Sequence, residues 1–293
     1  MTPEVYSDWL RAQGGRVVRT ESSYWHAAGA GVFQAFPYHW EIEPGRKDFG
    51  ELFYLHRAAA IRYSAPAGSP SGIESYHVVR GAGPYDLDSL GHWARKNVRR
   101  GLKNCVVEPV PVERFIAEGW VLRTDSLDRQ GRDTGETFEK WRQRLLHAAQ
   151  IEGFEFWGVF VQEKLGAILL TFRMSECVTL ILQQCDRRFL KEHVNNALSF
   201  EVTRHMLAKP GVESIFYGLE SLDAPRSVDE FKFRMGYRAK PVRQCVVFNP
   251  LVAPLMNRLT YAALKALVRQ YPSNRTFSKT AGLIRVYLEG GKS

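Results

Sequence analysis

Between Phe154 and Phe248 the apolar residues arrive in short, strand-length runs separated by turns and by two helical stretches, and this order constrains the fold more than any other feature. Phe156 to Gln162 and Ala167 to Arg173 predict strands joined by the turn Glu163-Lys164-Leu165-Gly166, and Val178 to Cys185 predicts a third strand after a turn at Met174 to Glu176. A polar loop, Asp186 to His193, leads to a helix capped near Asn195. Ala197, Leu198, Val202 and Met206 line its core side, and Pro210-Gly211 ends it. Strand Ser214 to Leu219 follows. A short helix then opens on the capping box Ser227/Glu230 and stops at Gly236, and strand Gln244 to Phe248 closes the domain. The order β-β-β-α-β-α-β predicts an α+β unit with a mixed sheet flanked by helices.

The preceding chain is less regular. Residues 1–86 hold short aromatic runs (Tyr24 to Trp25, Val32 to Trp40, Phe53 to Leu55, Tyr76 to Val79) cut by Glu43-Pro44-Gly45 and Ala65 to Gly72, which predicts a small mixed sheet, with Ser64 to Gly72 either a surface hairpin loop or a linker. After the Gly81-Ala82-Gly83-Pro84 turn, a helix capped by Asp88 or Ser89 places Leu90, Ala94, Val98, Gly101 and Leu102 on one side. Arg95, Arg99 and Lys103 form a stripe opposite, with Lys96 and Arg100 beside it, and no acid lies between Ser89 and Cys105. Such a face is either an anion site or a solvated helix surface. Val106-Val107 reads as a strand, and Pro109 and Pro111 open a loop-rich stretch to Thr134 that offers a domain boundary. Asp133 and Glu136 start a helix with Phe138, Trp141 and Leu145 inward, ending near Gln150. The chain therefore divides into residues 1–120, 121–250 and a basic tail, 251–293.

Composition bears on partners. Forty lysines and arginines stand against 31 acids, a net +9, which favours anionic partners such as phosphates, nucleic acid or acidic lipid. Residues 249–293 carry seven of these cations and one acid. Pro254 is placed to begin a helix running to about Gln270. It is apolar nearly all round, with a narrow stripe of Arg258, Lys265 and Arg269, so it either packs into the domain or lies on an anionic membrane surface. The four cysteines, Cys105, Cys177, Cys185 and Cys245, lack metal-ligand or redox spacing and read as reduced structural thiols, with no metal expected. No secretory leader and no stretch of roughly 20 apolar residues is visible, so a cytoplasmic protein is expected, peripheral at the inner membrane face if the tail binds lipid.

Three segments carry a resemblance: Trp93 to Lys103 (WARKNVRRGLK), Asn195-Asn196-Ala197-Leu198, and Tyr217-Gly218-Leu219-Glu220 followed by Val228 to Tyr237 (VDEFKFRMGY). With the strand order, they resemble the GNAT-like acyltransferases, and among them the FemAB superfamily of tandem GNAT-like proteins. The resemblance covers about residues 88 to 248 and implies a diverged GNAT-like unit before it. It implies transfer of an acyl or aminoacyl group, from acyl-coenzyme A or aminoacyl-tRNA, to an amine or hydroxyl of a cell-envelope precursor, sugar or related molecule. In such a sheet two neighbouring strands diverge, and the donor lies in the gap like an added strand. Here the gap falls between Ile181 to Cys185, with Gln184 and Cys185 against the donor, and Phe216 to Glu220. The start of the Asn195-Asn196 helix faces a phosphate.

Asp186 to Val194 lacks the glycines that coenzyme-A-using relatives place there, and Arg187, Arg188 and Lys191 supply charge instead, which leaves coenzyme A and tRNA both open. Glu220, at a strand end beside the gap, is a candidate base, or else caps or pairs with Arg226. Lys232 occupies the position where the resemblance implies a lysine acting on the donor or developing charge, with Phe231 shaping the site. Phe231 and Met235 define the apolar side at i, i+4 and leave Lys232 off it. His193 is a second candidate base, and Tyr237 a candidate proton donor or a packing residue beside Gly236. Arg95 and Arg99 are candidate substrate contacts. The rival reading is a catalytically inactive protein of the same fold that binds tRNA, a membrane or a protein partner; the oligomeric state is not legible.

Overall fold

The computed structural model describes all residues except 30, 130–134, 221–226, 272–273 and 292–293. In chain order its elements are α1 (Pro3–Ala12), β1 (Val17–Arg19), β2 (Tyr24–Ala27), β3 (Val32–Phe36), α2 (Arg46–Gly50), β4 (Ala60–Pro66), β5 (Ile73–Gly81), α3 (His92–Asn104), β6 (Val106–Pro109), α4 (Val112–Arg129), α5 (Phe138–Ala149), β7 (Phe154–Val161), β8 (Lys164–Met174), β9 (Cys177–Cys185), α6 (Val194–Leu207), β10 (Ser214–Leu219), α7 (Ser227–Arg234), β11 (Arg238–Phe248), α8 (Arg258–Gln270) and α9 (Arg275–Glu289). These form two compact units, each assembled from separated segments. The first comprises Met1–Val5, Val78–Gly218 and Asp229–Arg238, and the second Tyr6–His77, Leu219–Val228 and Ala239–Ser293. A cut at residue 120 would pass through the middle of α4.

The first unit carries the strands foreseen from the apolar runs, in the spatial order β10-β9-β8-β7-β6. The β7–β8 turn is only two residues, Gln162 and Glu163, since Val161 pairs with Lys164. Both turn residues are left-handed, φ 47° and 66°, as hairpins of this length favour. The 109–134 stretch, expected to be loop, is instead largely helix α4. Phe115, Ile116, Gly119, Leu122 and Ser126 recur on one buried face, a helical period that the two flanking prolines obscure. Trp141 of α5 is fully buried against it and donates its indole N–H to the Ile116 carbonyl, 3.1 Å. Thr137 caps α5 by accepting from the Lys140 amide. Asp133 lies outside the described residues, and Glu136 instead pairs with Arg123 and Arg144, at 2.6 and 3.3 Å. Phe138, expected inward, is exposed.

The second unit orders its strands β1-β2-β3-β4-β11. Strand β11 begins six residues earlier than the apolar run suggested. It does not close the unit that precedes it in sequence: Val242 to Phe248 pair antiparallel with Ala60 to Pro66 of β4. Because residues 73–77 of β5 lie on the other side of β11, the 67–72 connection is not a hairpin loop but a crossing over an inserted strand. Phe53–Leu55 belongs to a π-helical turn, Glu51–Leu55, rather than to a strand. Its core joins Trp25, Phe33, Leu52, Ile61 and Tyr63. A helix does not begin at Pro254, which sits in a 3-10 turn. Asn257 caps α8 by accepting from the Leu259 and Thr260 amides, and α9, unforeseen, follows. No described helix is long and apolar enough to cross a membrane.

Candidate active site

The parallel pair β9 and β10 is the feature on which any site in the first unit turns. Its register is three rungs long: Ser214 with Cys177, Ile215 with Val178, Phe216 with Thr179. Just beyond, the β8–β9 ladder slips: Thr171 faces Leu180 while Leu170 faces Leu182, so Ile181 is an extra residue. An extra residue bends its strand, and this bulge falls where β9 leaves β10. On the other side Gly218 takes φ +154°, which a residue with a side chain rarely adopts. The two strands thus part, and among the described residues no backbone group from another segment takes the exposed edge of β9 from Leu180 to Gln184.

Side chains line the gap. Gln183 is the hub: its amide nitrogen donates to Asn195 Oδ1 (3.1 Å) and Ser199 Oγ (3.2 Å), and its carbonyl oxygen accepts from the Tyr217 hydroxyl (2.5 Å). Asn195 Nδ2 in turn reaches Cys185 Sγ at 3.0 Å. Burial pushes the Tyr217 phenol above its ordinary value, partly offset by a hydrogen bond with Ser199, which keeps it a proton donor. Lys232 of α7 holds its ammonium 4.9 Å from the Tyr217 ring centre, anchored by Asp229 at 2.6 Å. Lys232 and Asp229 are only 16% and 6% exposed, so this charge operates in a partly desolvated setting. Tyr237 packs edge-on to Tyr217 and bonds the Thr203 hydroxyl at 2.7 Å, and its burial raises its own phenol far above the usual range. It props Tyr217 from behind.

The remaining sequence candidates are scattered. Glu220 accepts from Ser75 Oγ at 2.8 Å, and its amide donates to the Tyr76 carbonyl, so it is held within the second unit; Arg226 lies outside the described residues. Arg187 and Arg188 are committed to Asp125 and Asp186, each at 2.5 Å, and the Arg188 hydrogen bonds draw the Asp186 carboxyl below its ordinary value. Lys191 is exposed. His193, not Asn195, is the N-cap of α6. It is left-handed at φ 58°, and its carbonyl accepts from the Asn196 and Ala197 amides, so part of that helix start is already satisfied. The same carbonyl would lie 2.8 Å from a Cβ on Gly101, so only glycine lets α3 approach α6 this closely. Phe231 is half-buried on α7, and Gln184 half-buried at the end of β9.

On α3, Arg95 is tied to Asp88 at 3.3 Å and to the Asp88 and Leu90 carbonyls. Lys96, Arg99, Arg100 and Lys103 are exposed with no ion-pair partner among the described residues. His92, Arg95, Lys96, Arg99 and Arg100 line a hollow of about 560 Å³. The groups that sequence reasoning missed are Gln183, Ser199, Tyr217 and Asp229. Their one signal was the Gln183-Gln184 pair ending an otherwise apolar strand. All four cysteines are buried and free, and among the described residues no cluster of three or more metal-ligating side chains occurs.

The first unit is thus a mixed sheet flanked by helices, with its β9–β10 pair parted at a bulge and the seam lined by polar groups. Solved structures agree. FemX superposes with a TM-score of 0.58 at 10% identity over 84% of this chain and 92% of that one. The C-terminal domain of a protein assigned as a lysylphosphatidylglycerol synthetase from Agrobacterium fabrum superposes with 0.56 at 13% identity, covering 90% and 91%. L-PGS from Bacillus licheniformis gives 0.51 at 13%, covering 83% and 91%. The fold is therefore the one shared with FemX and with these synthetase domains. No family model and no curated protein matches the sequence.

Proposed function

We propose that the protein transfers an acyl or aminoacyl group from coenzyme A or tRNA to an amine or hydroxyl acceptor of the cell-envelope-precursor or sugar class. The observation that carries this reading is the parting of β9 from β10 after Thr179 and Phe216. An activated carbonyl compound can lie along the unpaired β9 edge, held by backbone groups, with Gln183 and Asn195 beneath it. Lys232 is the group for the negative charge that builds on the carbonyl oxygen, and Tyr217 supplies a hydroxyl proton beside it. The acceptor must lose a proton. Of the two candidate bases, His193 stands in the same unit, whereas Glu220 already accepts from Ser75.

As to the donor, Arg187 and Arg188 are engaged in ion pairs, while the unpaired cations of α3 stand close by. Asn104 at the end of α3 bonds Glu192 at 2.7 Å, in the turn leading to α6. This distribution suits a long anionic carrier such as tRNA at least as well as one pyrophosphate. One observation favours the rival, non-catalytic binder: the Tyr217–Gln183 hydrogen bond crosses the seam and must open to admit a donor. Incubation with acetyl- and longer acyl-coenzyme A and with charged tRNAs, in the presence of amine and sugar acceptors, separates the two by mass spectrometry. Acceptor-dependent release of free thiol or deacylated tRNA is expected, and absence of release with every donor tried would leave the binder.

A further inference from the structure

The five most exposed large apolar side chains among the described residues all belong to the second unit: Leu251 (82%), Leu259 (80%), Leu55 (74%), Tyr54 (65%) and Leu255 (63%). Asn249 fastens their two segments together. Its amide nitrogen donates to the Phe53 and Ala58 carbonyls at 3.3 and 3.1 Å, and its oxygen accepts from the Leu251 amide at 3.0 Å. The turn bearing Tyr54 and Leu55 is thus tied at the start of a row of leucines spaced four apart.

Helix α8 continues that row. No residue of it is buried, although it is apolar on nearly every side. Tyr261 and Leu264 face the core of Phe248, Ile284 and Val286, and Val268 lies on the same arc. At 100° per residue, Leu259, Ala263, Ala266 and Leu267 fall on the opposite, exposed arc, and Arg258, Lys265 and Arg269 form a stripe along one border of it. Arg57 stands exposed two residues after Leu55.

We propose that Tyr54, Leu55, Leu251, Leu255 and Leu259, bordered by Arg57, Arg258, Lys265 and Arg269, dock the protein on an anionic lipid bilayer. A helix with an apolar face and a cationic border is suited to the headgroup boundary. Charge decides against a second copy as occupant. A two-fold contact would bring two segments face to face, each with seven cations and one acid between residues 249 and 293, and like charges oppose that contact while acidic lipid neutralises both. The inference goes beyond the transferase reading and does not depend on it, since the residues lie outside the candidate active site.

Sedimentation of the full chain with vesicles of phosphatidylcholine alone, or mixed with phosphatidylglycerol, tests it without any activity assay. Binding is expected only to the mixed vesicles, weakening as salt rises. The variant Leu251→Ser/Leu255→Ser/Leu259→Ser should lose about tenfold in apparent affinity per leucine removed. Arg258→Glu/Lys265→Glu/Arg269→Glu should lose binding and keep the thermal melting of the parent to within a few degrees, because among the described residues these exposed side chains have no ion-pair partner to forfeit, only the Lys265 contact with the Tyr261 ring. On the unaltered protein, amide hydrogen exchange at residues 251–267 should slow when mixed vesicles are added. That second readout does not require the serine variant to fold. Failure to bind mixed vesicles overturns the proposal, as does binding that the serine variant retains. A concentration-dependent dimer that the serine variant abolishes, with no vesicle binding, would assign the face to a second copy instead.

Discussion

Each unit contains a parallel strand pair with a register of three rungs: β9 with β10 in the first, and β3 with β4 in the second, where Val32, Phe33 and Gln34 face Ala60, Ile61 and Arg62. What happens beyond the third rung differs. In the second unit the chain fills its own seam. The Ile42 amide donates to the Ser64 carbonyl of β4 at 2.8 Å, and Ile42 is buried in the cluster of Trp25, Phe33 and Tyr63. Ser64 is further fixed by His77 and Gln244, whose side chains reach its hydroxyl at 2.8 and 3.1 Å. In the first unit, among the described residues, no backbone group from another segment takes the corresponding strand edge, which is bordered by Gln183, Asn195, Tyr217 and Lys232. One parted pair is a piece of core and the other a receptive groove, and the distinction lies in which groups were put into the gap rather than in the parting itself.

The comparison can be pressed at four points. Ile42→Ala should remove the plug and cost about 2–4 kcal/mol in chemical denaturation, with donor binding in the other unit unchanged. If the stability hardly moves, the second seam is not core. Lys232→Ala should act on the chemistry: a fall in turnover of about a hundredfold, the size seen when one group opposing a developing oxyanion is removed, together with a lowered melting temperature because Asp229 loses its ammonium partner. Turnover within a few-fold of the parent would remove Lys232 from the chemistry. Acid should weaken the filled seam. Burial pushes His77 down to about 3, aided by Lys240 and His39, so the unfolded chain takes up a proton between pH 6.5 and 3 that the folded one refuses. Its contribution is therefore complete above pH 6.5 and declines as pH falls below it, by on the order of 1–2 kcal/mol at pH 5. His77→Gln should flatten that part of the stability–pH curve, and an unchanged slope would show that another group governs it. Smallest of all, Tyr217→Phe deletes only the hydroxyl that bridges to Gln183 and should change turnover by about tenfold or less, with the direction informative. A fall assigns Tyr217 to proton delivery, and a rise in donor affinity makes the bridge a gate.

Much of the first unit was legible because its strands are near-continuous apolar runs, and the Ala197, Leu198, Val202 and Met206 spacing of α6 leaves no alternative to a helix. Helix α4 was hidden by Pro109 and Pro111 and by a small-residue face, Gly119 and Ser126, that does not read as apolar. The partner of β11 was beyond reach, since nothing in Gln244 to Phe248 encodes a preference for a strand 180 residues earlier. The resemblance puts a gap between the β9 and β10 segments, and the two strands do part there, but the cause was not visible: Ile181 is one more apolar residue in the run Val178 to Leu182. Lys232 was singled out, and Gln183 was not, because a neutral polar side chain near a strand end announces no chemistry until its neighbours are known. The arginines at 187 and 188 illustrate a different limit: their charge is visible in the sequence, but their pairing with Asp125 and Asp186 is not.

The insertion of β11 between β4 and β5 has a bearing on biosynthesis. As the chain leaves the ribosome, Ala60–Pro66 must wait as an uncovered edge until Val242–Phe248 has emerged, and the second unit cannot complete its sheet before nearly all of the first has been made. Any message that terminates early, or any protease cut ahead of residue 242, strands that edge permanently. Such products should be among the most aggregation-prone that this gene can yield.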